Sequence, residues 1–426
     1  MARCSILDSQ GRPLEAEDLG RFHLYDLRMQ PLGMATSIAP GEVSFPAPDR
    51  PFRIGVTARV PDFGHVFVYA DKGGRGYTAG DFDSDAPLPL NDAFAADRVE
   101  RVRALLEECR SAGVVISPAP RKRLARAAAL LGEARAANSP APHWEALMEA
   151  LYAGEEVVFE RAQQAILRRG ARPGFLFGCF TEPYTGLGRP FAERFESLFN
   201  YATVPFDGTE SEAVLEWVGR SRLMRVGRLG PVGAGETVRR HRNRVSAWEV
   251  RYPTGLSEDK RVESTAAEAR AARASDPTCF RLACCGDPWL GPGGAAYVRA
   301  MLDAKAGFEA VALPFGYAGR DMVEMERMLD TFGELGRPVH ISETGAPSSD
   351  TEFPWHGQEW TEVAQADWLE QFYTIAFSKP WVEAITWRDL VDRKSAPRAG
   401  LLTPEMETKQ SYGRLKALVR NWRALA

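Results

Sequence analysis

The chain has few cysteines and no long apolar run. Its 426 residues include six cysteines, of which only Cys284 and Cys285 are close together. No CxxC spacing accompanies them, so no thiolate metal site or redox pair is expected, and the adjacent pair reads as filling inside an apolar strand. No stretch reaches the length of a membrane span. The N-terminal MARCSILDSQGRPLE lacks the apolar core of a signal peptide. The chain as given therefore reads as cytoplasmic and without a membrane partner, secretion staying open if its start is mis-called. A charge excess of either sign is also missing. With 53 Lys and Arg against 57 Asp and Glu, the net charge is −4, which offers nothing to nucleic acid. The basic run from Arg239 to Arg244 then reads as the solvated end of a helix. Gly230 to Glu236 is glycine-rich but lacks the Gly-Lys-Ser/Thr ending of a phosphate loop, and reads as an ordinary loop.

What is present is a globular composition, 45% hydrophobic and 26% charged, long enough for two or three domains. Residues 1–88 are β-rich: FHLYDL, PFRIGVTARV and HVFVYAD are short aromatic and β-branched runs between turns such as PDFG and KGGRG. A small β-sandwich suits them, and its Tyr69 to Tyr77 segment reads as a glycine-rich turn or, alternatively, a place for a sugar. From Asn91 the period changes to about 3.6. Three alanine-rich amphipathic segments form a helical connector over residues 89–154, with Asn91 and Asp92 expected to cap the first helix and Pro118 and Pro120 to separate it from the second.

Residues 155–426 alternate strand and helix. The candidate strands are 174–180, 199–206, 223–229, 245–252, 279–285, 310–317, 339–343 and 382–387. Eight strands with helices between them predict an α/β fold, a (β/α)8 TIM barrel, preceded by the sandwich and the connector. The stretch RPVHISETGAP ends one of these strands on Glu343. In a parallel barrel such a tip faces the open end where chemistry is done, although a strand-end acid facing water would read the same way. His340, three residues earlier, falls by period two on the face opposite Glu343 and reads as a packed histidine.

GFLFGCF, FNYATVPF, RVSAWEV, RPVHISETGAPS, SKPWVEAITWRDLVD and AGLLTPEMETKQSYGRLKALV together resemble glycoside hydrolase family 10, the endo-1,4-β-xylanase family, in its branch with an N-terminal β-sandwich. The resemblance covers roughly residues 155–426. It implies a retaining hydrolase of β-1,4-linked xylan or xylo-oligosaccharides that needs no cofactor and no metal and whose partner is a polysaccharide or oligosaccharide. Retention uses two carboxylates about 5 to 5.5 Å apart, one a nucleophile and one an acid, then base. The resemblance makes Glu343 the nucleophile and Trp387 a ring that stacks on sugar, with Tyr317 and Trp355 as further candidates for the cleft.

The acid/base position departs from the family pattern. A Trp-(Asp/Glu)-Val-x-Asn-Glu run is expected after the fourth strand, and the chain reads Trp248-Glu249-Val250-Arg251-Tyr252-Pro253. Tyrosine, with an ordinary pKa near 10, is a poor donor at neutral pH, and proline has no side-chain proton. Glu249 is the substitute candidate, but it lies four residues deeper, about 13 Å along a strand. Glu258, Asp287 and Glu182 are the others. The third strand also lacks the family's His-Thr-Leu-x-Trp-His, and Arg388 follows Trp387 where another aromatic is usual. Deletion between Asp207 and Pro253, or specialisation, accounts for the lopsided pattern. The competing reading is a catalytically inactive barrel that binds glycan, or a decayed homologue.

Overall fold

The computed structural model describes residues 1–14, 22–137, 139–206, 212–230, 233–289, 294–316, 319–349, 355–357, 359–393 and 398–425. The chain divides into two compact units. One comprises Met1–Ala165, Gly319–Met325 and Thr351–Glu359; the other comprises Ile166–Ala318, Glu326–Asp350 and Trp360–Ala426.

In the first unit, short alternating runs build two sheets. Strands β1 (Ala2–Ser5), β2 (His23–Tyr25), β3 (Ser37–Ala39), β4 (Glu42–Phe45), β5 (Arg53–Val60), β6 (Gly64–Ala70) and β7 (Leu88–Pro89) assort as β3-β4-β1-β7 and β2-β5-β6. Period-two burial in β4 sends Val43 and Phe45 inward, where they share one core with Cys4 of β1 and with Ile54 and Val56 of β5. Helices α1 (Leu90–Ser111), α2 (Pro118–Ala137) and α3 (Pro140–Arg169) follow, and Leu90, Phe94 and Trp144 complete the same core.

Asn91 does not cap α1 as the sequence predicts. Its side-chain amide donates to Leu7 O at 2.8 Å and its Oδ1 accepts from Leu7 N at 3.0 Å; the helix starts at Leu90, two residues earlier than a cap at Asn91 would give, and its first turn is tied to the segment that follows β1. Pro118 opens α2, where its missing N–H costs nothing.

Asp92 pairs with Arg135 at 2.6 Å and lies 3.2 Å from His143. Burial works to raise its carboxyl, but His143 and Arg135 overrule it and bring it from 3.8 down to about 2. A carboxyl lowered in the folded state stabilises above its unfolded value and loses that contribution as pH falls through the folded one. The side chain is partly exposed, so solvent screening leaves about 1 kcal/mol. Asp92→Asn is therefore expected to flatten the acid limb of a urea-unfolding series between about pH 4 and pH 2; wild-type and variant curves that stay parallel there would remove the pair from the stability of this unit.

The second unit is a closed parallel barrel. Its strands are β8 (Leu176–Phe180), β9 (Tyr201–Phe206), β10 (Met224–Leu229), β11 (Ala247–Val250), β12 (Phe280–Cys284), β13 (Ala310–Gly316), β14 (Val339–Gly345) and β15 (Val382–Trp387). They pair in chain order, and β15 closes on β8. The helices between them are α4 (Tyr184–Glu196), α5 (Glu212–Arg220), α6 (Ala234–Arg240), α7 (Glu258–Ser275), α8 (Gly294–Asp303), α9 (Met322–Gly333) and α10 (Glu362–Ser378), with α11 (Gln410–Arg423) after β15. Strands covered on both faces read as near-continuous apolar runs, as β8 and β13 do.

Size alternates across the barrel interior. A Cβ on Gly178 of β8 would lie 2.3 Å from the ring of Tyr201 on β9, so glycine there makes room for the tyrosine. Tyr201, Val226, Leu282, Ala310, Ala312 and Ala384 fill the centre. On the outside, the N-cap Thr361 accepts the Ala364 N–H at 3.2 Å and starts α10, whose residues are mostly buried. Thr361→Ala is expected to cost about 1 kcal/mol in thermal unfolding and Thr361→Ser much less; an equal loss from both would refute a capping role.

Candidate active site

The site is built by an irregularity in β14. Against β13, Ala312 pairs with His340 and Leu313 with Ile341, but Pro314 pairs with Glu343, leaving Ser342 as an extra residue. Against β15 the register shifts between the same residues, Ile341 and Thr344. A bulge of one residue reverses the inward and outward alternation beyond it. His340 points inward: its ring meets Tyr201 of β9 and Phe280 of β12, and side chains from such separated strands can meet only inside the barrel. The bulge then turns Glu343 inward as well, so the opposite-face expectation for His340 is corrected by one inserted serine.

Glu343 meets two guanidinium groups there. Arg228 Nη1 of β10 donates to its Oε2 at 3.0 Å, and Arg388, directly after β15, donates to its Oε1. Burial alone would raise this carboxyl, but Arg388 and Arg228 outweigh it and hold it below the ordinary glutamate value. The Glu343 side chain keeps 23% of its surface open.

Arg228 has a second partner. Its Nε lies 3.1 Å from Oε1 of Glu249 on β11, whose side chain is only 2% exposed. The two strands pair with Arg228 beside Glu249. Glu249 and Glu343 are thus joined through one guanidinium, and they are pushed in opposite directions. Burial drives the Glu249 carboxyl up despite the attraction of Arg228, and the Glu343 charge adds to the rise. Phe180 of β8 lies beneath the arrangement, its ring centroid 5.4 Å from Arg228 and 5.5 Å from Arg388.

Next to these lie Glu182, Asp389 and Arg393. Arg393 Nε donates to Asp389 Oδ1 at 2.5 Å. Burial nevertheless raises the Asp389 carboxyl against Arg393 and Arg388, and the Glu343 charge adds to that rise. Burial also raises Glu182, opposed by its own backbone N–H and by Arg393 and Arg388.

The other sequence candidates lie elsewhere. Trp387 is on the helix side of β15 at 0% exposure, against Trp368 and Tyr373 of α10, with its indole N–H on Ala399 O at 3.0 Å. It offers no ring face to a sugar, and the inward position belongs to its neighbour Arg388. Trp355 belongs to the first unit and stacks on His356 with ring centroids 3.8 Å apart. Tyr317 lies outside the described residues. Glu258 opens α7 exposed to solvent, and Asp287 spends its carboxylate on the Trp289 N–H at 2.8 Å.

The sequence reading missed the arginines. Arg228 carried a usable signal, because period two from the buried Val226 puts it on the inner face of MRVGRL, where a cation requires a buried acid. Among the described residues no group of three or more His, Cys, Asp or Glu could hold a metal ion. No described helix is long and apolar enough to cross a membrane.

No protein-family model matches the sequence, and no curated protein matches it. Solved structures resemble the chain in part. One is a psychrophilic glycoside hydrolase family 10 endo-β-1,4-xylanase, at 14% identity and TM-score 0.45, over 57% of this chain and 96% of that one. A family 10 glycoside hydrolase from Paenibacillus barcinonensis matches at 13% identity and TM-score 0.45, over 58% and 95%. The β-glucuronidase of Bifidobacterium dentium matches at 15% identity and TM-score 0.45, over 59% of this chain and 46% of its own length.

Proposed function

We propose that the chain is a retaining glycoside hydrolase acting on β-1,4-linked xylan or xylo-oligosaccharides through Glu343. The observation that supports this most is the state of that carboxylate. It stands at the end of β14, partly open, and is kept anionic by Arg228 and Arg388. A nucleophile in a double displacement must be ionised, while its partner must carry a proton, and the raised carboxyls nearby supply the second half of that division. The substrate class follows from the sequence resemblance. The chemistry needs two carboxyl groups and water, with no cofactor.

A second reading, a barrel that binds glycan without cleaving it, is favoured by one feature. Glu249 is closed off behind Arg228, and Tyr252 and Pro253 stand where the family pattern has Asn-Glu, so the strand-four position opens no proton donor to a ligand. The two readings part on an aryl β-xyloside with a good leaving group, which needs little acid assistance, assayed alongside calorimetric titration of xylo-oligosaccharides. Release by the wild type that is lost in Glu343→Gln supports hydrolysis. Binding without release supports the second reading. Equal release from both proteins overturns Glu343 as nucleophile, and neither release nor binding overturns both readings.

A further inference from the structure

One carboxyl at the same end of the barrel, half-buried, has no cation of its own. β8 runs Leu176, Gly178 and Phe180 along the barrel interior, Gly178 making way for Tyr201 and Phe180 lying under the two guanidinium groups. Glu182 follows two residues later, in the turn that joins β8 to α4. Because β14, β15 and β8 are consecutive around the barrel, the end of β15, with Arg388, stands between the strand ends that carry Glu343 and Glu182. Glu343 has Arg228 and Arg388, Glu249 has Arg228, and Asp389 has Arg393. Among the described residues Glu182 has no ion pair, and its buried Oε2 makes no hydrogen bond. An unpaired carboxylate away from water is costly, whereas a protonated carboxyl costs much less and can donate.

We propose that Glu182 is the acid and base that works with Glu343, from the end of the first barrel strand in place of the fourth. This rests on the hydrolase reading above. In the first step the Glu182 proton passes to the glycosidic oxygen as the bond from that oxygen to C1 breaks. The aglycone leaves as an alcohol and a Glu343 oxygen bonds to C1. In the second step the Glu182 carboxylate takes a proton from water, whose oxygen bonds to C1 while the ester bond breaks and its electron pair returns to Glu343. Burial, which raises the Glu182 carboxyl against its own backbone N–H, Arg393 and Arg388, suits the first of these roles. Asp389 is the less suitable donor, because its Oδ1 already accepts from Arg393.

The test uses the full chain with Glu182→Gln and Glu182→Ala, on dinitrophenyl and phenyl β-xylosides. Loss of a general acid is expected to slow cleavage of the phenyl glycoside by about 10²- to 10⁴-fold and to spare formation of the glycosyl-enzyme from the dinitrophenyl one. Azide should restore turnover to Glu182→Ala and yield the β-xylosyl azide, whereas Glu343→Ala should yield the α-azide. An equal fall for both aglycones, or no β-azide from Glu182→Ala while Glu343→Ala gives the α-azide, overturns the role of Glu182 and leaves the hydrolase reading standing. Failure of Glu343→Ala to give the α-azide, together with a wild-type rate in Glu343→Gln, overturns that reading itself. The isosteric Glu182→Gln carries the leaving-group comparison if Glu182→Ala does not fold.

Discussion

Glu343→Gln is expected to lower release from an activated aryl β-xyloside by at least about 10³-fold, near 4 kcal/mol of transition-state stabilisation. The amide keeps the shape of the side chain and can still meet Arg228 and Arg388, but it cannot form the glycosyl ester on which a double displacement depends. A good leaving group removes most of the need for an acid, so the rate on such a substrate isolates the nucleophile from whatever donates the proton. The substitution also has a signature in stability. Glu343 is lowered in the folded state by Arg388 and Arg228 against its burial. Its contribution is therefore present above the unfolded value of 4.5 and is lost as pH falls through the folded one. The gap in melting temperature between wild type and Glu343→Gln should be widest above about pH 5 and should narrow in acid. A folded variant that keeps a tenth or more of the wild-type rate would take Glu343 out of the chemistry.

The barrel was legible because most of its strands are short, largely apolar runs separated by helical or polar segments. The 382–387 expectation coincides with β15, and 174–180 and 199–206 overshoot β8 and β9 by two residues at their starts. The direction of individual side chains was less legible. Period two, counted along VHISETG, separates His340 from Glu343, and nothing in the composition of that run announces that Ser342 will be left unpaired by both neighbouring strands. The same limit applies to Trp387 and Arg388. Family likeness singles out the tryptophan, whereas parity along β15 from the inward Ala384 sends Trp387 to the helix side and Arg388 to the interior. Long-range pairing was least visible. Arg228 and Glu343 are 115 positions apart, and only closure of the barrel brings them together. The candidate nucleophile could therefore be read from one strand end, but the cations that set its charge could not.

Arg228→Leu is expected to lower unfolding free energy by about 3–5 kcal/mol, because it leaves Glu249 buried without its cation. Glu343 would still be held by Arg388, so the loss falls on the β10–β11 side of the barrel. Its pH dependence identifies the group responsible. Glu249 is already raised by burial against the attraction of Arg228, and removing the arginine raises it further. A carboxyl whose folded value lies above its unfolded one destabilises when ionised. The deficit of Arg228→Leu should thus be full above the folded value and should shrink as pH falls toward 4.5, the unfolded reference. Adding Glu249→Gln should recover most of the stability and remove that pH dependence. A double-mutant cycle that returns no coupling between the two positions would overturn the account. Glu249→Gln alone decides the remaining question about this residue. If Glu249 serves only as counter-ion to Arg228, cleavage of a phenyl β-xyloside should change less than about tenfold, whereas a proton donor would cost about 10²- to 10⁴-fold. A large loss there with little change on the dinitrophenyl substrate would return the acid to the fourth strand and take it from Glu182.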